Sequence, residues 1–442
     1  MQIVLPNKVK KIINILETAG FEAFAVGGCV RDAYLGRIPN DWDITTSALP
    51  EQVKTLFSKT IDTGIQHGTV TVLIGGEGFE VTTYRIDGIY EDARHPKQVS
   101  FTSNIVEDLK RRDFTINAMA YSETRGLVDE FDGIGDLRRG IIRCVGNPIE
   151  RFSEDALRMM RAVRFAAQLG FDIHDDTRDA IKELAPNLYR VSAERIMTEL
   201  TKLITSDHPD MLRDVYELGL TDVFFPEFNI CMESEQNNKW HIYSVGEHIL
   251  HTMQAVQNNR ILRFTMMLHD IAKPECKTVD PDGTTHNKGH AEKGAEKARN
   301  ILRRLKSDNE LVDTVTILIR YHDWRFEPDK RSVRRAINKV GPNRFAMLLN
   351  VQEADMMGQS DYKKEEKIER LKKIREEYRQ ILADKEAVSI KDLDIKGKDL
   401  ICLGIKEGPE IGRILNLMLE HVLDVPEDNK REILLKLLEE YK

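Results

Sequence analysis

The hydrophobic pattern of this chain changes near residue 145, and that change restricts the fold more than any one motif does. Before it, short β-rich runs such as HGTVTVLI (residues 67–74) and FEVTTYRI (79–86) alternate with glycine turns and a few helical stretches. That mixture predicts an α+β unit with a mixed sheet and helices. After it, from SEDALRMMRAVRFAAQLG (153–170) to REILLKLLEEYK (431–442), apolar residues recur at helical spacing, with loops at DPDGTTHNKG and EPDKR. The expectation is an all-α remainder. The charge-rich run DYKKEEKIERLKKIREEYRQILADKEA (361–387) lacks glycine and proline and pairs opposite charges three and four residues apart, which reads as an exposed linking helix.

A chain of 442 residues, 41% of them hydrophobic, is long enough for two to four domains. No run approaches the roughly 18 apolar residues of a spanning helix, so no membrane segment is expected. Five scattered cysteines (Cys29, Cys144, Cys231, Cys276, Cys402) form no CxxC pair and suit reduced thiols, hence a cytoplasmic protein. The net charge of −8 argues against a uniformly nucleic-acid-binding surface but is compatible with a local basic groove.

The stretch FAVGGCVRDAYLGRIPNDWDITT (24–46) carries the first chemical signal. FEAFAV reads as a strand entering Gly27 and Gly28, and CVRDAYLG as a helix, which together make a place where backbone N–H groups meet a phosphate. Read alone, two glycines before a helix are an ordinary tight turn. In NDWDITT, Asp41 and Asp43 sit two apart on an extended segment, so both carboxylates face one way, with Trp42 opposite. Two carboxylates held that close repel unless a cation lies between them, which suits Mg²⁺; the alternative is a pair of loop aspartates capping a turn. In-line phosphoryl transfer with two metals asks for a third acid. Glu80 is the candidate, although it also reads as an exposed strand-edge glutamate.

Further stretches occur in a characteristic order: YRIDGIYEDARHP (84–96), EDLKRRDFTINAMAY (107–121), DEFDGIGDLRRGIIRCVG (129–146), FSEDALRMMRAVRFAAQLGF (152–171) and RVSAERIMTEL (190–200). With GG, RD and DxD they resemble the nucleotidyltransferases of the polymerase-β superfamily, in the bacterial class that includes CCA-adding enzymes and poly(A) polymerases. The resemblance is dense over roughly the first 200 residues. It implies a nucleotidyltransferase head (1–145), a helical neck (146–230), and nucleotide handling by Gly27, Gly28, Arg31 and Asp32. The guanidinium forks of Arg111 and Arg112 match triphosphate oxygens, and Asp113 and Asn117 hold a ribose or orient the arginines.

On a helix, Asp155 and Arg158 would face the same way, with Glu154 four before Arg158; chemistry alone favours a salt bridge there. The resemblance implies instead an amino-acid template that reads the incoming base, with Arg161 extending the face. A carboxylate accepts from the amine that C and A share, and U leaves it unpaired. Arg190, Glu194 and Arg195 would support that helix. Asp87, Tyr90, Asp92 and Arg94 resemble the flexible loop used in switching from C to A, with His95 in place of a more usual basic residue.

Histidines fall beside helical runs in YSVGEHILHTM, ILRFTMMLHDIAKP, HNKGHAEKGAEKA and VTILIRYHDW, and an aspartate in LLNVQEADMMGQ. A single one would be an ordinary buried histidine. The series His248, His269, Asp270, His290, His322 and Asp355 resembles the HD-domain metal-dependent phosphohydrolases, which implies an HD domain over 231–360. Its donor set suits one or two divalent transition metals such as Mn, Fe, Ni or Co better than Mg²⁺. His241, His251 and His286 lie outside the pattern and read as bystanders. The C-terminal tail (361–442) has a glycine-rich turn between two helical runs; it reads as helix packing, and resemblance implies a tRNA contact.

Together these expectations describe an enzyme adding C, C and A to tRNA 3′ ends from CTP and ATP, as a monomer or homodimer. The alternatives are a poly(A) polymerase, or an HD phosphohydrolase with an RNA-binding head.

Overall fold

The computed structural model describes residues 3–88 and 99–441. The chain forms two compact units, Met1–Phe224 and Phe225–Lys442. The first unit ends inside the expected neck (146–230), and the second takes in the last residues of that neck together with residues 231–442.

The first unit is built on a seven-stranded sheet. Its strands are β1 (Ala23–Val26), β2 (Ile44–Thr46), β3 (Thr60–Gly64), β4 (Thr69–Ile74), β5 (Glu77–Thr83), β6 (Ala120–Ser122) and β7 (Gly126–Val128). The spatial order is β3-β4-β5-β2-β1-β6-β7, antiparallel except for β2 and β5, which run parallel. All of β1, AFAV, is buried, and Phe24 and Val26 pack with Tyr84, Leu109, Ala118, Ala120 and Val145 in one apolar cluster. Its neighbours β2 and β6 thereby hold both edges of the strand that ends at Gly27.

Beyond the sheet the first unit has two short strand pairs, Arg85–Asp87 with Val99–Phe101 and Ile141–Ile142 with Asp172–Ile173, and helices. Pro148–Glu154 is capped by the Asn147 side chain, which accepts from Ile149 N–H. Leu157–Leu169 buries Leu157, Met159, Met160, Ala162, Val163 and Phe165, and stops at Gly170, where φ is +70°. It packs on Ala193–Ile204. The expected change from sheet to helix is thus present, in an α+β fold.

The second unit is helical, with one two-stranded ribbon, Thr278–Val279 with Thr285–His286. The charge-rich run forms a helix over Lys364–Ala383, which buries only Leu371, Ile374 and Ile381. The tail has its own apolar cluster, built from Leu393, Ile395, Leu400, Ile414, Met418, Leu434 and others. No helix among the described residues is long and apolar enough to cross a membrane. All five cysteines are free thiols.

Candidate active site

Gly27 ends β1 with φ at +83°, a conformation glycine adopts without a Cβ penalty. A side chain there would also collide with Arg112, since an added Cβ would stand 2.9 Å from Nη1. The turn delivers the Gly28–Tyr34 helix, and Val26 N–H donates to the Asp43 carbonyl at 3.0 Å, which brings the aspartate segment against the same turn. A cleft of about 790 Å³ opens here. It is lined by Gly27, Gly28, Arg31, Asp32, Asp41, Asp43, Arg112, Asp113, Asn117 and Arg161.

Its floor is one hydrogen-bonded chain. Arg31, 8% exposed, donates from Nε to Asp32 at 2.8 Å and from Nη1 to Asn117 Oδ1 at 2.6 Å. Asn117 donates to Asp113 Oδ1 at 3.1 Å, and Asp113 Oδ2 accepts from Arg161 Nε at 2.8 Å. Burial alone would raise the Asp113 carboxyl; the Arg161 charge and the Asn117 hydrogen bond outweigh it and hold the group well below the usual range. Phe165 lies under this chain, with the Arg164, Arg31 and Arg161 guanidiniums 3.8, 5.0 and 5.4 Å from its ring centre.

The two acids at the cleft have a different environment. Asp43 is pushed up to about 6 by desolvation, then by the neighbouring Asp41 charge, with Arg112 opposing and Glu80 adding to the rise. Parallel pairing of Ile44 with Val81 sets Asp43 level with Glu80 on the adjacent strand. Glu80 acts on Asp43 through this neighbouring charge but does not line the cleft, and the three acids are not among the described groups whose ligand atoms all lie within 4.8 Å.

Other expected site residues are placed apart. Arg111 also stays outside the cleft lining, pairing with Asp108 at 2.8 Å and with Asp87 at 3.7 Å. Asp87 is in the Arg85–Asp87 strand; Tyr90, Asp92, Arg94 and His95 lie outside the described residues. Asp155 departs from the helical expectation: it sits at the break between two helices with φ −144° and ψ 102°. There its carboxylate caps Leu157 N–H at 3.1 Å and accepts from Arg195 at 2.7 Å. The break separates it from the face of Arg158, which bonds Glu154 at 2.5 Å and the Arg111 carbonyl at 3.1 Å. Neither Asp155 nor Arg158 lines the cleft.

Sequence reading passed over Asp108, which is fully buried and accepts from Thr45, Arg85 N–H and Arg111. Its spacing of three and four before Arg111 and Arg112 was the available signal. It also passed over Arg164, Phe165 and Lys202, which line the cleft through tertiary packing.

In the second unit the histidine series converges. His248 lies on Val245–Ala255, His269 and Asp270 follow Arg260–Leu268, His290 opens His290–Arg304, His322 closes Asn309–Tyr321, and Asp355 lies on Pro342–Met357. Two ligand groups result, His248, His269, Asp270 and Asp355, and Asp270, His290 and His322, sharing Asp270. The four Nδ1 atoms lie 2.7–3.0 Å from the carbonyls of Gly358, Met266, Asn287 and Ile319. Donation there turns each Nε2 lone pair inward, and His248 faces His269, and His290 faces His322, at 3.2 Å between Nε2 atoms. Two lone pairs at that distance repel unless a proton or a metal ion lies between them. Burial lowers His269, but the Asp270 and Asp355 carboxylates outweigh it and bring the group to about 10, a proton that a cation can replace. Asp270 is 1% exposed, and neither of its oxygens accepts a well-aligned hydrogen bond, although Lys273 Nζ stands 2.6 Å from Oδ2. The donor set therefore fits divalent metal. Of the histidines outside the pattern, His251 stacks on Tyr243 and His286 pairs with Asp280, whereas His241 packs edge-on against His248.

Residues 23–143 match the family described as "Poly A polymerase head domain", 170–232 "Probable RNA and SrmB- binding site of polymerase A", and 290–438 "tRNA nucleotidyltransferase domain 2 putative". A CCA-adding enzyme of Pediococcus pentosaceus is 35% identical over 92% of this chain and 91% of its own length. The chain belongs to the CCA-adding enzyme family. Another family member, from Leuconostoc mesenteroides, is 55% identical over 44% of this chain, and that match spans about half of the relative's length, 48%. Among solved structures, the Bacillus stearothermophilus CCA-adding enzyme in complex with CTP is 31% identical, covers 97% of this chain and 96% of its own, and superposes with a TM-score of 0.71.

Proposed function

We propose that this chain is a tRNA nucleotidyltransferase that adds C, C and A to the 3′ end from CTP and ATP. The observation that carries the reading is the Asp41–Asp43 pair at the cleft whose floor is the Arg31–Asn117–Asp113–Arg161 chain, in a member of this family. The raised Asp43 carboxyl is what a cation-binding pair shows when the cation is withheld, so the residues fit Mg²⁺. Asp41 and Asp43 hold it, with Glu80 as the third acid. Bound there, Mg²⁺ favours loss of the primer 3′-hydroxyl proton and offsets triphosphate charge.

The chain's own residues bind and orient. Arg31 and Arg112, with Arg111 behind them, meet the triphosphate beside Gly27, Gly28 and Asp32, and Asp113 and Asn117 fix the arginines. Asp155 and Arg158 choose the base once Arg195 and Glu154 release them, Arg161 continues that face, and the segment holding Asp87, Tyr90, Asp92 and Arg94 serves the step from C to A. The four-part division into head, neck, HD segment and tail, the tail contacting tRNA, and a cytoplasmic place for the free thiols belong to the same proposal.

The test uses tRNA lacking its 3′ end, with CTP, ATP or both, read at nucleotide resolution. Two additions from CTP and a third only with ATP support the reading; long A tails from ATP alone make the chain a poly(A) polymerase. Asp41→Ala should abolish incorporation with an unchanged circular-dichroism spectrum, and normal activity in that variant would sink the assignment.

A second reading rests on the opposed Nε2 pairs. We propose that His248, His269, Asp270, His290, His322 and Asp355 hold one or two divalent transition metals such as Mn, Fe, Ni or Co. A metal there supplies water activation for hydrolysis of a phosphoester, such as a 2′,3′-cyclic phosphate on an RNA end. Metal analysis and product release with Mn²⁺ test this reading. If the head only binds RNA, ablating His269 and Asp270 removes all activity.

A further inference from the structure

Asp270, His290, His322 and Asp355 of the histidine cluster line a cleft of about 710 Å³ that Trp240 lines as well. The main chain that carries the ring is held on both sides: Trp240 N–H donates to Asn238 Oδ1 at 2.9 Å, and its carbonyl accepts from Ser360 N–H at 2.8 Å. Tyr362 packs edge-on at 4.6 Å between ring centres, and Lys367 and Lys239 Nζ stand 4.5 and 5.7 Å from the indole centre, cations that a stacked anionic nucleotide would meet. The indole is half-buried, and its N–H donates to no partner among the described residues. A rigid aromatic ring with a spare donor, facing a phosphoester site, is what a nucleobase needs: a π-face to stack on and a hydrogen bond to its edge. Cations complete the surroundings, since Lys239, Lys273, Lys288 and Arg325 line the same cleft and suit an anionic ligand.

We propose that Trp240 is the base-binding residue of this cleft and makes its ligand a nucleotide rather than a phosphoester of any kind. The proposal rests on the phosphoesterase reading of the histidine cluster. Stacking on one aromatic side chain is worth about tenfold or more in affinity.

The experiment is calorimetric binding of two ligands that share the five-membered cyclic phosphate: 2′,3′-cyclic AMP, and glycerol 1,2-cyclic phosphate, which has no base. Full-length wild type, Trp240→Ala and Trp240→Phe are titrated metal-free and after Mn²⁺ loading, with bound metal measured separately. Nucleotide binding in the head is common to all three proteins and cancels in the comparison. Trp240→Ala should weaken 2′,3′-cyclic AMP about tenfold, leave the base-free ligand and metal content unchanged, and be partly rescued by Trp240→Phe. Equal loss for both ligands, which marks a structural role, or no loss for either overturns the proposal. Bound Mn²⁺ no greater in wild type than in a variant carrying His269→Ala and Asp270→Ala overturns the phosphoesterase reading instead, and the metal-free titrations then still decide Trp240.

Discussion

At Gly27 the backbone runs at φ +83°, and an added Cβ would stand 2.9 Å from Arg112 Nη1. Gly27→Ala therefore strains the turn and displaces an arginine at once. Its expected outcome is a KM for CTP raised about tenfold or more, corresponding to about 1.4 kcal/mol, with far-ultraviolet dichroism unchanged. Asp43 carries a pH signature. Desolvation, Asp41 and Glu80 raise its carboxyl from 3.8 to about 6, so the fold favours the protonated form. That stabilisation is fully present below pH 3.8 and is lost as pH rises through 6, leaving the metal-free carboxylate destabilising at neutrality. Because the carboxylate opens on solvent, screening limits the effect to roughly 1 kcal/mol. Asp43→Asn in a chelator should melt higher than wild type at pH 7.5, and the gap should close as the pH falls towards 4.

At the scale of elements, the histidine cluster depends on how the helix Val245–Ala255 is seated. Gly246 allows that seating, since a Cβ there would lie 2.4 Å from Met232 Sδ and 2.7 Å from Met232 backbone. Gly246→Ala must shift the helix that carries His248, at a cost of about 1–3 kcal/mol, the usual range for overpacking. Thermal melting of the full chain should show that loss, with Mn²⁺ uptake falling alongside. The first unit presents the opposite case, an interrupted run of helix: Pro148–Glu154 and Leu157–Leu169 are separate helices, and Asp155 is the extended residue between them. Helical periodicity runs through both segments, so spacing alone predicts one continuous face. The Asp155 contacts with Leu157 N–H and Arg195 show why the chain breaks there.

For the whole molecule, the two proposed chemistries reside in different compact units, one with the aspartate pair and one with the histidines. His269→Ala with Asp270→Ala should lower transition-metal uptake by the one or two ions of the histidine site while CTP incorporation into tRNA survives at near wild-type rate. Mn²⁺ should raise the melting temperature of wild type more than that of this variant, which keeps only the aspartate pair, since a ligand held only by the folded state stabilises it by mass action.

Much of this was legible in the amino-acid order, because the relevant physics is local. Alternation of apolar residues set the β-rich first part, helical periodicity set the rest, and the glycines before a helix and the paired aspartates, singled out by spacing, line one cleft. The histidine series could be picked out by its placement beside apolar helical runs. What only the tertiary structure decided are contacts between residues far apart in the chain. Asp113 meets Arg161, the four Nε2 atoms face one another in pairs, and Trp240 shares a cleft with His290 and His322. Arg111 is turned to Asp87 and Asp108 while the adjacent Arg112 reaches the cleft. Neighbours in sequence part company there because side-chain direction is set by the packing of the whole fold, which no local pattern encodes.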